Sequence, residues 1–136
     1  MTWGPTEVQK SIYQIFTSDA TLMAKVTGVC DHTVHEQAFP YITIGQASFT
    51  DRGSYTTQGW RGEITINTWS RSYGRLEAQE IMAEIDRLLH CQDLNMTDWS
   101  TLNLRRAFNE ILVEDDSVTY HGVQRYTLYM GDIINE

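Results

Sequence analysis

The sequence predicts an α+β domain: a mostly antiparallel sheet with helices packed on one face. Three observations predict it. The stretch from Trp60 to Trp69 alternates apolar and polar residues, as a half-buried strand does. Directly after it, Ala78, Ile81, Met82, Ile85, Leu88 and Leu89 fall within an arc of roughly 120° when wound at about 100° per residue, the stripe of an amphipathic helix. Two more strand-like stretches, Leu102 to Val113 and Val118 to Met130, are separated by the acidic turn Glu114 to Ser117, which favours an antiparallel hairpin. With 136 residues the chain is the size of one domain, taken as residues 1–136. It lacks the strand–helix alternation of a doubly wound sheet and the strand count of a barrel.

The elements follow in order. Pro5 and Glu7 suit a first helical turn, because Pro lacks an N–H that would be orphaned there and an acid faces the positive helix end. Val8, Ile12 and Ile15, with Phe16 beside them, continue that helix. Asp19 caps a second short helix carrying Leu22 and Val26, which Gly28 stops. Val29 to Asp31 reads as a brief strand. Pro40 disfavours helix at Phe39, so Tyr41 to Phe49 reads as a strand, followed by a polar loop from Asp51 to Gly59. In the next strand Trp60, Ile64 and Ile66 share one face, and Glu63, Thr65, Asn67 and Trp69 share the other. The long helix sets Glu80, Glu84 and Arg87 opposite its apolar stripe, so that stripe is expected against Ile64 and Ile66. The stretch from Cys91 to Thr101 reads as a loop. In the last strand Tyr126, Leu128 and Met130 form one face, and Arg125, Thr127 and Tyr129 the other.

Charge narrows the function classes. The net charge is −8 and the isoelectric point is near 4.8. A nucleic-acid binder needs a basic patch to displace counterions, and adsorption to anionic lipid needs one too. An acidic wall can still let DNA slide past it. No stretch reaches the roughly 18 apolar residues of a membrane span, so no membrane partner is expected. The N-terminal segment lacks the basic start and apolar run of a signal peptide. Cys30 and Cys91 suit a reducing compartment.

Chemistry fares no better. Cys30, His32 and His35, with His90-Cys91 far downstream, miss the usual zinc spacings, so no metal site is expected. Neither a nucleophile elbow nor a His-Glu-x-x-His helix is present. Glu80 and Glu84 lie one turn apart on a solvated face, not in the buried pair that acid–base work needs, and His121 has no visible partner. No catalytic or cofactor-binding residue is assigned. The turn between Trp69 and the long helix raises a phosphate site, because Arg71 and Arg75 flank Gly74 at a helix start. A single glycine is not a phosphate cradle, however. Gly74 (or Ser72) with Glu77 reads instead as the helix cap. Arginines oppose the positive helix end, so they are expected to reach toward a carboxylate. If Ile64 and Ile66 face the helices, Trp69 and Tyr129 lie on the uncovered side of the sheet, where aromatics with arginines mark protein interfaces.

Taken together, the segments "VQKSIYQIFTSDATLMAKV", "FPYITIG", "ITINTWSR", "GRLEAQEIMAEIDRLL" and "HGVQRYTLYM" resemble the tail-completion proteins of long-tailed bacteriophages, also called tail terminators. The likeness runs from about residue 6 to 130. It rests on segment order and spacing, not on a catalytic signature. The resemblance implies an α+β domain that forms a ring, commonly a hexamer, on the finished tail tube. Such a ring stops tube polymerisation, offers a docking surface to the head and lets DNA pass. It implies as partners further copies of the chain, a tail-tube protein and a head–tail connector, at the tail–head junction of the virion after assembly in the host cytoplasm. It transfers no individual functional residue. The residues singled out as subunit or partner contacts come from the uncovered face, the strand ends and the polar loop: Arg52, Tyr55, Trp60, Trp69, Arg71, Arg75, Arg125 and Tyr129. The alternatives are a head–tail adaptor, a minor tail protein, and a small anion-binding enzyme at Arg71, Gly74 and Arg75.

Overall fold

A computed structural model describes residues 2–30, 38–72 and 74–133. Helix α1 (Gly4–Ser18) carries Pro5 in its first turn and buries Val8, Ile12 and Phe16. Its Glu7 is buried too, and its carboxylate accepts the Thr97 N–H at 2.9 Å. Ser11 Oγ accepts the Asn95 N–H at 3.1 Å. These two polar side chains fasten the loop after the long helix to α1, where an unpaired buried carboxylate would be costly.

Helix α2 (Ala20–Met23) is a single turn capped by Asp19, whose side chain accepts from Leu22 N. It ends well before Gly28, not at it. The chain leaves the helix because Thr27 N donates to the Pro40 carbonyl and Gly28 O accepts from Ile42 N, which draws the segment alongside the sheet. That contact sets up β1 (Val29–Cys30), which pairs in parallel with β2 (Tyr41–Asp51). The expected third residue of β1, Asp31, lies outside the described residues, as do His32 and His35.

Strand β3 (Gly59–Ser70), helix α3 (Leu76–Leu89), β4 (Trp99–Val113) and β5 (Tyr120–Asp132) complete the order. Among the described residues the sheet has five strands ordered β1-β2-β3-β5-β4, antiparallel except at β1. β4 starts at Trp99, inside the stretch read as loop. Trp99 is buried, pairs with Asp132 and donates its indole N–H to Thr2 O, so tertiary pairing decides a segment whose local composition is polar. β5 likewise runs from Tyr120 to Asp132, not from Val118 to Met130.

Alternation along β3 places Ile64, Ile66, Thr68 and Ser70 on the helix side. α3 buries Ala78, Ile81, Met82, Ile85 and Leu89, the expected stripe. Together with Ile42, Ile44, Leu104, Tyr126, Leu128 and Met130 from the sheet they form one core. The start of α3 differs from expectation. Its N-cap is Arg75, with no capping side chain, and Glu77 instead accepts from Ser70 Oγ at 2.6 Å. The acid therefore still faces the positive helix end, but it is held by the strand it left. Gly74 takes φ +90°, which glycine alone adopts at little cost.

Candidate assembly interface

The sheet's second face lies opposite the helices, and three groups of side chains occupy it. Strand register puts Trp69 opposite both Tyr41 and His121, which makes one end of the face aromatic. The Trp69 and His121 rings stack at 3.9 Å and 11°, and Tyr41 stacks beyond Trp69 at 6.2 Å. Trp69 Nε1 donates to Thr43 Oγ1 at 3.1 Å. His121 is not unpartnered, as it looked in the sequence: Nε2 bonds Asn67 Oδ1 at 2.7 Å, and Nδ1 lies 3.3 Å from Glu114 Oε1. Burial pushes the His121 pKa down and Glu114 pulls it up, burial prevailing. The ring is therefore neutral at pH 7, and the Glu114 contact becomes an ion pair only on protonation.

Arg71 closes this end. Its guanidinium lies 4.3 Å from the centre of the Phe39 ring. Nε donates to Thr119 Oγ1 at 2.9 Å, and Nη2 approaches Asp116 Oδ2 at 3.5 Å. Asp116 also accepts from Thr119 Oγ1 and from the Thr119 and Val118 N–H groups. Those hydrogen bonds, Thr119's first, hold its pKa down at about 2, with Arg71 adding to them. Arg71 thus reaches the carboxylate that the dipole argument called for, on the β4–β5 turn. Arg75 does not: it lies over Tyr120 at 5.7 Å. The two arginines face different rings, so the turn does not converge on an anion.

The other end centres on Tyr129. Arg61 Nε donates to its hydroxyl at 3.3 Å, Arg52 lies 5.1 Å from its ring centre, and Arg61 Nη2 also meets Glu63 at 3.0 Å. Toward the β4 edge, Arg125 of β5 lies 5.1 Å from the ring of Phe108 on β4, and Arg105 of β4 is exposed. Trp60 belongs elsewhere: it is half-buried on the helix side, edge-on to Trp3 and Phe49. Tyr55, fully exposed on the β2–β3 loop, touches none of the others. Of the eight residues singled out, the structure therefore gathers Trp69 with Arg71 at one end and Arg52 with Tyr129 at the other. Arg61, Phe108, His121 and Tyr41 join them unforeseen. Alternation marks the faces of Arg61 and His121, but their partners depend on register.

Between α3 and β4 lies a cleft of about 270 Å³, lined among others by Gln79, Ala83, Asp86, Arg106 and Phe108. Its ionisable groups are paired internally: Arg106 Nη1 donates to Asp86 at 2.7 Å, and Tyr126 OH donates to Asp86 at 3.0 Å. Among the described residues no three His, Cys, Asp or Glu side chains converge as metal ligands. No described helix is long and apolar enough to cross a membrane.

Comparison with known proteins bears on this architecture. The profile of a family described as "Tail completion protein gp17" matches residues 10–131. A relative of that description from Bacillus phage SPP1 is 24% identical over 125 residues, spanning 90% of this chain and 92% of the relative. Among solved structures, a chain in the virion of a native gene transfer agent particle superposes with a TM-score of 0.86 at 18% identity, covering 96% of this chain and 99% of that one. The structure of bacteriophage SPP1 gp17 gives a TM-score of 0.63 at 22% identity, covering 98% and 94%. At those identities the two structures share the fold.

Proposed function

This chain belongs to the tail completion protein gp17 family, and from that membership we propose that it is a structural protein of a virion that caps the finished tail tube. It stops tube polymerisation there and presents the surface to which the head docks. It acts as a ring of copies, a hexamer by the family resemblance, through which DNA passes as cargo. Its partners are other copies of itself, the tail-tube protein and a head–tail connector at the tail–head junction, after assembly in the host cytoplasm.

The observation that carries this reading is the uncovered sheet face. It pairs Arg52 and Arg61 with Tyr129, Arg125 with Phe108, and Trp69 with His121. Arginine over aromatic rings is the composition of protein–protein contact centres. No step of chemistry is asked of these residues. The anion-binding alternative loses support because Arg71 is already held by Asp116 and Thr119. Light scattering across a concentration series, alone and with purified tail tubes, tests the proposal. A particle of ring mass, alone or on the tube end, is expected. A protein that stays monomeric with tubes present and binds nucleotide would defeat it. Capped tubes that fail to join heads would instead favour a minor tail role.

A further inference from the structure

Resting on the ring reading, we infer that neighbouring copies join through their sheet edges, β4 of one copy pairing antiparallel with the second half of β2 of the next. The sheet has two edges. β4 pairs only with β5; its outer edge is occupied at Leu104, whose carbonyl accepts from Cys91 N, and at Arg106, whose N–H donates to His90 Nδ1, whereas from Phe108 to Val113 it meets no other strand among the described residues. At the other edge, among the described residues, β1 covers β2 at Ile42 and Thr43. Gln46, Ala47, Ser48, Thr50 and Asp51 beyond it are exposed. Proteins blunt free edges with lysine, proline or very short strands. Both edges are interrupted by bulges, but beyond the one between Ile44 and Ala47 the exposed half of β2 has neither Lys nor Pro, and beyond the one between Arg106 and Phe108 the β4 edge leaves Phe108, Leu112 and Val113 exposed.

Topology selects the occupant. β2 opposes β3, β3 opposes β5 and β5 opposes β4. β4 therefore runs antiparallel to β2 of its own chain. A rotation about an axis roughly along the strands sets β2 of the next copy against β4 in the direction that continues the alternation, a heterologous contact that can close. The faces also match. Ala47, Phe49 and Asp51 sit opposite Ile64, Gly62 and Trp60, on the helix side. Asn109, Ile111 and Val113 sit opposite Gln124, Gly122 and Tyr120, on that same side. Antiparallel pairing of Asp51 with Asn109 then brings Phe49 beside Ile111 and Ala47 beside Val113.

The helices above each edge are complementary in charge. α1 flanks the β2 edge with Lys10 and Tyr13 beside Ile44. α3 flanks the β4 edge with Gln79, Ala83 and Asp86, and Glu80 is exposed next to them. Continuing the sheet brings the Lys10 amine, now held only loosely by Glu7 at 3.8 Å, toward that acidic flank. Asp86 already holds Arg106, which leaves Glu80 as its nearer uncommitted partner.

Disulfide trapping tests this in the full chain carrying Cys30→Ser and Cys91→Ser, with assembly followed by light scattering. Ala47→Cys with Val113→Cys should give an oxidised ladder up to the ring mass, and either cysteine alone should give monomer. Dimers from Val113→Cys alone would show β4 pairing with β4 and overturn the proposal. Rings that form without cross-linking would overturn it while leaving the ring reading intact. Failure to form any particle, even on tail tubes, would remove both. A second pair of variants avoids reliance on cysteine geometry. Ser48→Lys and Leu112→Lys should each raise the concentration for half-assembly by about tenfold or more, with the monomer's melting little changed. Unchanged assembly in both would refute edge pairing.

Discussion

The two faces of the sheet solve different problems with the same strands. On the helix side, β3 and β5 present Ile64, Ile66, Tyr126, Leu128 and Met130, all nearly inaccessible to solvent. Their stabilisation is burial, which is non-directional and scales with area. On the other side the same strands present Arg61, Glu63, Trp69, His121, Arg125 and Tyr129, joined by stacking, cation–ring contacts and hydrogen bonds. Those contacts are worth little each in water. The covered face therefore holds the monomer, and the open face is free to be specified by what it meets.

That comparison can be broken or sharpened by substitution. Leu128→Ala, in the covered core, should cost about 2–5 kcal/mol and lower the denaturant midpoint sharply. An unchanged midpoint would mean the helices do not rely on this face. Gly122→Ala comes next. A Cβ there would lie 2.6 Å from Met82 Sδ. Met82 is flexible but buried, so a loss of about 1–3 kcal/mol from overpacking is expected, measurable by thermal melting. Trp69→Ala on the open face should cost about 1–2 kcal/mol through lost stacking on His121 and Tyr41, and should reduce assembly more than folding. Unfolding of the monomer would show that this end of the open face is a second core. Arg125→Ala should leave melting within about 0.5 kcal/mol of the parent yet weaken assembly or tube capping, which co-sedimentation reads.

Acid separates the two faces without mutation. The His121 pKa is depressed in the fold, so the unfolded chain binds its proton first. Stability then falls as pH drops below the ordinary histidine value, a window that His121→Gln should flatten. Asp116 is also depressed, to about 2, so its contribution is full above the usual carboxylate pKa and lost as pH falls toward 2. Both groups sit at the Trp69 end of the open face.

Much of the covered face was legible because burial leaves a period. The β3 alternation and the Ile81–Ile85 stripe each encode a direction within one segment, and the structure places them against one core. The open face was legible only as a set of candidates. Trp69 meets His121, and Arg71 meets Asp116, through strand register and turn placement, which involve residues distant in sequence. No local pattern encodes them. The α3 start departs from its local pattern for a related reason. Gly74 and Glu77 have the right spacing for a cap, but Ser70 on the preceding strand takes Glu77 once the two elements dock. The polar neighbours of Trp99 spell a loop, while its pairing with Asp132 is decided across the sheet.

The strand order has a consequence in time as well as in space. β5, the latest strand in sequence, is inserted between β3 and β4. Until it has left the ribosome, β4 has no neighbour and β3 has an open flank, so the sheet cannot be completed progressively. Pairing of distant segments makes folding slow relative to helical proteins of similar size. A nascent chain lacking β5 also lacks the Tyr129 and His121 side chains of the open face and a settled β4 edge. On the ring proposed above, copies would become competent to join one another only after synthesis has passed β5, which separates the making of a copy from its recruitment.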